Sequence, residues 1–130
     1  MSMQVGPLIS RRLLVVSPGE NLVELARQMT EAKVGSAVVM TEQGPSIITE
    51  RDLLRAVAAG ANLAECRVEE YMTSRAITVL PSCELRQAAE WMLEGNFRHL
   101  VVVGEHSEVE GVLSMRDLVA GLLRLADVPA

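Results

Sequence analysis

The chain has 130 residues, of which 49% are hydrophobic and only 2% aromatic, and its formal net charge is −5. This length fits one compact domain or two very small ones, and the apolar content is ample for a buried core. The negative charge opposes attraction to nucleic acids and to anionic membranes, and the shortage of aromatic rings argues against a base-stacking surface. We therefore expect a folded protein that binds neither nucleic acid nor membrane.

The N-terminal residues and the cysteines indicate a cytoplasmic protein. The first ten residues place an apolar stretch before the charges of Arg11 and Arg12, which reverses the order found in a signal peptide. No apolar run approaches the roughly 18 residues of a membrane span. Cys66 and Cys83 lack the spacing of metal ligands, and nothing else suggests a disulfide framework. We predict no metal site and no required cofactor.

The first predicted element is the extended segment LLVV at 13–16, which ends near a turn at Pro18. A helix follows, because apolar residues recur at the i, i+3, i+4, i+7 spacing of one helix face. These residues are Leu22, Leu25, Ala26 and Met29. The continuous apolar run SAVVM is typical of a strand covered on both faces. A polar turn, TEQGPS, then leads to the short strand IIT and to a second helix that opens at ERDLLRAVAA.

The same elements occur again in a second copy. Pairs of identical residues at one offset of 63 include Val5 and Val68, Pro18 and Pro81, Leu22 and Leu85, and Met29 and Met92. After Val103 the offset becomes 65, because the second copy has two extra loop residues. Its strands are AITV, HLVVV and VLS, and its last helix opens at MRDLVAGLLRLA. Each copy therefore has the order β-α-β-β-α.

A single copy of this size buries too little surface to be stable by itself. We therefore predict an α/β (α+β) fold in which two β-α-β-β-α repeats pack with pseudo-twofold symmetry around a shared core. Repeat 1 comprises residues 5–67 and repeat 2 comprises residues 68–127, together forming one compact tandem module. The stretch between the last helix of repeat 1 and the first strand of repeat 2 contains a short amphipathic piece and does not resemble a flexible linker.

The segment TERD at Thr49–Asp52 and its counterpart SMRD at Ser114–Asp117 have two interpretations. Each matches a helix capping box, in which a hydroxyl and an acidic residue three positions later satisfy unpaired backbone groups. A helix N-terminus with a hydroxyl is also a ready site for an anion such as phosphate. In addition, a carboxylate accepts hydrogen bonds without donating them, which suits the vicinal diol of a ribose. The sequence alone leaves both interpretations open.

Taken together, these segments resemble a known family. The stretches VGSAVVM...IITERDLLRAV and FRHLVVV...VEGVLSMRDLVAGLL, the second of them preceded by VEEYMT, look like a tandem pair of CBS domains, the modules named after cystathionine β-synthase. The resemblance covers residues 5 to about 127. It implies two related clefts that bind adenosine-containing ligands, namely AMP, ADP, ATP, S-adenosylmethionine, NAD or dinucleoside polyphosphates. It also implies pairing of the apolar helices into flat homodimers.

By this resemblance, Asp52 and Asp117 would accept hydrogen bonds from ribose, and Thr49 and Ser114 would hold ribose or the first phosphate. The prediction for the first cleft combines Thr49 and Asp52 with Ile77, Thr78, Arg98 and His99. The prediction for the second cleft combines Ser114 and Asp117 with Leu14, Val15, Val34 and Ser36. Because Arg98 and His99 supply cationic groups, we predict that the Asp52 cleft is the tighter phosphate site. Repeat 1 has Ser46 at the position where repeat 2 has the family's glycine, Gly111. The resemblance therefore does not determine the backbone path near Thr49.

Two functions from different classes follow from this interpretation. The first is a stand-alone regulatory module, such as an energy sensor, that binds an adenosyl ligand, shifts its conformation and is read by an unidentified regulated protein. The alternative is a non-catalytic homodimerisation or assembly module with vestigial clefts. No nucleophile with a base, metal set, glycine-rich phosphate loop or facing carboxylate pair is apparent, so we predict that the protein is not an enzyme.

Overall fold

The described residues form two compact units. A computed structural model describes residues 3–10, 12–73 and 76–126, with side chains to Arg124 in the last helix. The first unit contains residues 12–73 and 76, and the second unit contains residues 3–10 and 77–126. Residue 127, the predicted end of repeat 2, lies outside the described residues. In the described part of the chain, no helix combines the length and apolar character that crossing a membrane requires.

The first unit has a three-stranded sheet in the order β1-β2-β3. Strand β1 (Val15–Val16) is parallel to β2 (Ser36–Thr41), and β2 is antiparallel to β3 (Gly44–Thr49). Helix α1 (Leu22–Ala32) connects the parallel pair, as a parallel connection requires. Helix α2 (Glu50–Ala58) follows β3 directly, and α3 (Val68–Tyr71) is a single turn later in the chain.

The second unit repeats this sheet. Strand β4 (Thr78–Val79) is parallel to β5 (His99–Val103), which is antiparallel to β6 (Val109–Ser114). Helix α4 (Leu85–Gly95) connects β4 to β5, and α5 (Met115–Ala126) follows β6. A single 3-10 turn, Gly6–Leu8, completes the unit. The predicted order β-α-β-β-α, twice, is confirmed.

Local sequence explains where the helices begin and end. The Asn21 side chain accepts a hydrogen bond of 2.9 Å from the backbone N–H of Glu24 and so caps the start of α1. Lys33 and Asn96 end α1 and α4 in the left-handed conformation, with φ of 56° and 54°. Both helices bury the predicted apolar face. The buried residues are Leu22, Leu25 and Met29 in α1 and Leu85, Ala88 and Met92 in α4.

The opening segment of each repeat packs in the unit formed by the other repeat. The backbone N–H of Val5 donates to the Cys83 carbonyl, and the equivalent N–H of Val68 donates to the Glu20 carbonyl. Ser10 pairs with Val112 on β6, as its counterpart Thr73 pairs with Ile47 on β3. Val5 and Val68 are both fully buried, in the cores of the second and first unit respectively. The sequence predicts a core shared between the repeats. This sharing occurs inside each unit, because the opening segment of one repeat packs into the core formed by the other repeat.

The same exchange explains the glycine at position 111. A Cβ built on Gly111 would lie 2.5 Å from the backbone oxygen of Ser10, which is too close for any side chain. Of the two extra residues in the β5–β6 hairpin, one is absorbed at a register shift between Val102 and Val103, and the other lengthens the turn. Beyond this shift, His99 lies opposite Ser114 as Ser36 lies opposite Thr49. The backbone path near Thr49 is therefore equivalent to that near Ser114.

Candidate functional site

The hydroxyl of each predicted site lies at the junction of a strand and a helix. Thr49 is the last residue of β3 and the N-cap of α2, and Ser114 is the last residue of β6, directly before α5. Strand pairing places Ser36 opposite Thr49 and His99 opposite Ser114. The hairpin register thus gives each hydroxyl one sheet neighbour from its own repeat.

The carboxylate of Asp52 folds back onto the start of its own helix. One oxygen, Oδ2, accepts hydrogen bonds from the Thr49 backbone N–H at 2.8 Å and from the Thr49 hydroxyl at 3.2 Å. The other oxygen, Oδ1, pairs with the Arg55 guanidinium one helical turn later. The Asp52 side chain is only 6% exposed, whereas that of Arg55 is 62% exposed. Both carboxylate oxygens of Asp52 therefore have partners.

Asp117 makes the same cap through Oδ2, but among the described residues its other oxygen, Oδ1, has no arginine partner. Its Oδ2 accepts hydrogen bonds from the Ser114 backbone N–H at 2.8 Å and from the Ser114 hydroxyl at 2.9 Å. The Ser114 hydroxyl in turn accepts from the Asp117 backbone N–H at 3.1 Å. Within the described ranges, no salt bridge involves Asp117, and the position equivalent to Arg55 is Ala120. Asp117 is also only half-buried.

The capping interpretation of both segments is thus confirmed, and it leaves room for a ligand at one of them. A carboxylate offers about four lone-pair positions for hydrogen bonds. The cap occupies Oδ2 in both repeats. Oδ1 of Asp117 can still accept hydrogen bonds from a diol, whereas Oδ1 of Asp52 holds Arg55. The two sites therefore differ in the group that a sugar would need.

Charge beside the two hydroxyls also differs. In the first unit the Glu50 carboxyl lies against Gly35, with its carboxyl carbon 3.4 Å from a Cβ built on that glycine. In the second unit the counterparts are Met115 and Arg98, joined by a backbone hydrogen bond of 2.8 Å. An acidic group in the first unit thus corresponds to an apolar side chain in the second, and a glycine corresponds to an exposed guanidinium.

The predicted clefts, which combine residues of both repeats, stay a prediction. The prediction combined Thr49 and Asp52 with Arg98 and His99, and within the second unit strand register places His99 opposite Ser114. The second unit brings together Ile77, Thr78, Arg98, His99, Ser114 and Asp117. The first unit brings together Leu14, Val15, Val34, Ser36, Thr49 and Asp52. The ranking of the Asp52 cleft as the tighter phosphate site requires Arg98 and His99 to reach that cleft, and it stays a prediction.

The short parallel strands carry the remaining predicted residues into the two sheets. The Leu14 carbonyl accepts from the N–H of Val38 at 2.9 Å, and the Ile77 carbonyl accepts from the N–H of Val101 at 3.0 Å. Val15 and Ile77 leave 50% and 46% of their surface exposed. Exposed apolar side chains in the same sheet as the hydroxyl are suitable contacts for a flat heterocycle.

A surface opening of about 440 Å³ lies in the first unit. Its lining residues are Arg12, Leu13, Leu14, Glu31, Ala32 and Lys33. This volume falls in the range of small-molecule pockets, roughly 300–1,000 Å³. The lining includes Leu14 but neither Thr49 nor Asp52, so the opening is not centred on the capping carboxylate.

Other reactive groups do not form a site of their own. Burial raises the pKa of the Cys83 thiol above its usual value, and the neighbouring Glu84 carboxylate raises it further. A raised pKa makes the thiol less reactive, because the thiolate is the nucleophile. Across residues 3–10, 12–73 and 76–126, no group of three or more metal-binding side chains is found.

Sequence reasoning missed Arg55 and Glu50. An arginine three positions after an aspartate on a helix can reach its carboxylate, so the spacing from Asp52 to Arg55 is a readable signal. The contact between Glu50 and Gly35 had no such signal, because it joins residues that only the hairpin brings together.

Comparison with known proteins agrees with this architecture. The chain is 34% identical over 125 residues to an uncharacterized 17.7 kDa protein of Acidianus ambivalens, covering 95% of this chain and 75% of that protein. It superposes with a TM-score of 0.83 on a CBS domain protein of Pyrobaculum aerophilum complexed with AMP, at 34% identity, covering 97% of this chain and all of the other. A CBS-domain containing protein of Agrobacterium tumefaciens gives a TM-score of 0.83 at 31% identity, covering 94% of this chain and 95% of that one.

The family model for the CBS domain matches the chain twice, at residues 5–59 and 68–124. The two matches coincide with the two copies of the β-α-β-β-α order and include both capped aspartates. The chain therefore belongs to the CBS domain family and carries two CBS domains in tandem.

Proposed function

We propose that the chain is a non-catalytic regulatory module that binds an adenine nucleotide, AMP, ADP or ATP, at the second unit. The observation that carries the proposal is that one unit contains a hydroxyl, a carboxylate, a guanidinium and an imidazole: those of Ser114, Asp117, Arg98 and His99. The AMP complex of the Pyrobaculum protein, at 34% identity over nearly the whole chain, supports an adenine nucleotide as the ligand.

Each part of a nucleotide has a chemically suitable group in this unit. The Oδ1 atom of Asp117 accepts from the ribose hydroxyls, because the cap has left it available. The guanidinium of Arg98 pairs with phosphate oxygens, which its planar donors match in geometry. The exposed side chain of Ile77 contacts the adenine ring, and Thr78 and His99 complete the contacts. No aromatic side chain is required for this arrangement.

Regulation then follows from differential affinity. A nucleotide shifts a conformational equilibrium only to the extent that it binds one conformation more tightly than another. We propose that a separate protein reads the nucleotide-bound conformation of this chain, which would make the chain an energy sensor.

A thermal-shift measurement tests the ligand class. AMP, ADP and ATP should raise the unfolding midpoint, because a ligand at about 100 times its Kd adds roughly 2.7 kcal/mol to the free energy of unfolding. Adenosine and inorganic phosphate, which each lack half of the contacts, should give much smaller shifts at equal concentration. The absence of any shift by all three nucleotides at millimolar concentration would refute the proposal.

A second candidate function, self-association, has its own structural support. Helix α2 exposes Leu54 and Val57 by 68% and 57%, and helix α5 exposes Leu122 and Leu123 by 45% and 61%. Apolar helix faces of this kind gain free energy when they are covered. We propose that they pair between two copies of the chain to give a homodimer.

Replacing apolar residues on these faces tests the homodimer. Leu54→Glu and Leu123→Glu should each convert the dimer to a monomer, because a carboxylate in a tightly packed apolar contact has no partner. Light scattering coupled to gel filtration measures the mass. Leu93→Glu on helix α4, where Leu93 is 75% exposed, serves as the control and should leave the dimer intact. A monomeric wild-type chain at high concentration would contradict this proposal.

A further inference from the structure

The two CBS domains differ at the residue three positions after the capping aspartate. We propose that Arg55 keeps the Thr49–Asp52 site closed to nucleotides, so that each chain binds one nucleotide, at the Ser114–Asp117 site. The inference rests on the proposed function, since it concerns the same class of ligand. It assigns to Arg55 a role that sets the stoichiometry and specificity of binding.

The hydrogen bonds of Asp52 leave a ribose little to bind. The Thr49 N–H and hydroxyl occupy Oδ2, and the Arg55 guanidinium occupies Oδ1. The Asp52 side chain is 6% exposed, so a sugar hydroxyl would have to displace the guanidinium to reach it. A charge-assisted hydrogen bond is roughly twice as strong as a neutral one, which makes this displacement unfavourable.

The described part of the second repeat has the same cap at Oδ2 but lacks the arginine at Oδ1. Ala120 stands where repeat 1 has Arg55, and it cannot form an ion pair with Asp117. Asp117 is half-buried rather than buried, so its carboxylate is more accessible. The contrast is therefore between two otherwise equivalent caps, one closed by an arginine and one open.

The Glu50 carboxylate strengthens the contrast. It lies against Gly35 in the first unit, at the place that corresponds to Met115 and Arg98 in the second. A phosphate near Thr49 would meet a like charge, whereas a phosphate near Ser114 would meet a guanidinium. Like charges brought together disfavour binding, and a cation favours it.

A reciprocal exchange tests the inference by isothermal titration of the full chain with AMP. Both positions are exposed on helices, and alanine and arginine are both good helix formers, so neither exchange should disturb folding. The wild-type chain should bind one AMP. Arg55→Ala should add a second site, and Ala120→Arg should weaken the existing site at least tenfold. Arg55→Lys, which keeps the charge, should remain at one AMP, and Ala120→Gln, which adds bulk without charge, should retain wild-type affinity.

Each alternative outcome is informative. Two AMP molecules bound by the wild-type chain, or a single unchanged site in Arg55→Ala, would overturn the inference while leaving the proposed function in place. Weaker binding by Arg55→Ala would show that Arg55 contacts the nucleotide, which also overturns it. Binding of AMP by neither the wild-type chain nor any variant would instead overturn the proposed function, and the inference with it.

Discussion

Asp117→Asn is expected to weaken the binding of AMP by roughly ten- to a hundredfold, whereas Asp52→Asn is expected to leave it unchanged. Hydrogen bonds to a charged group contribute about 1.5–3 kcal/mol, and every 1.4 kcal/mol is a factor of ten in affinity. Asparagine loses the charge and turns one acceptor oxygen into a donor, so it no longer suits a ribose diol. Isothermal titration with AMP measures the difference.

The pair of substitutions is matched because asparagine preserves the capping role of each aspartate, while Asp52→Asn also gives up the ion pair with Arg55, which is 62% exposed. Its side-chain oxygen still accepts from the backbone N–H of Ser114 or Thr49, so the helix cap survives. Unfolding midpoints without ligand should therefore stay close to that of the wild-type chain. Equal losses of affinity in both variants would mean that the sites are equivalent. A loss in Asp52→Asn alone would support the ranking first drawn from the sequence.

Leu8→Ala is expected to lower the free energy of unfolding by about 2–5 kcal/mol, the usual cost of truncating a buried leucine. Leu8 is 8% exposed and packs in the core of the second unit, although it belongs to repeat 1. Gly121 leaves space for it, since a Cβ built on that glycine would lie 2.6 Å from Leu8 Cδ1. Urea denaturation measures the total loss, and hydrogen exchange shows where it falls.

The exchanged arrangement predicts an unusual location for this loss. Amide protection should fall in β5, β6 and α5, which belong to repeat 2, and should be retained in β2 and β3, which belong to repeat 1. Leu80→Ala serves as the control, because Leu80 is 48% exposed and should change the free energy of unfolding by less than about 0.5 kcal/mol. Loss of protection confined to β2 and β3 would contradict the exchange.

Local pattern was sufficient to predict the elements of this fold. The i, i+3, i+4, i+7 faces of α1 and α4 are buried as expected, since this periodicity follows from helix geometry alone. The apolar runs became the central strands β2 and β5, because each is covered on both faces. The repeat, at an offset of 63 and then of 65, identified the second copy of every element, including both capped aspartates.

Contacts between residues far apart in the sequence could not be predicted from local pattern. Val5 and Val68 were recognised as equivalent, but nothing near them in the sequence indicates that each pairs with the other repeat. The grouping of site residues depends on such long-range contacts as well. Arg98 and His99 were assigned to Asp52 because the resemblance suggested sites that combine residues of different repeats, and within the second unit hairpin register pairs His99 with Ser114.

The exchanged opening segments affect whether a chain with only one repeat can fold by itself. A fragment that stops after Arg67 lacks the strand partner that Thr73 supplies to Ile47, and it exposes the core surface that Val68 covers. Two identical chains of half the length would each supply the missing strand partner of the other by exchanging their opening segments. Such domain swapping is a low-cost route to a dimer. Fusing such a pair end to end would turn an association that depends on concentration into a permanent one.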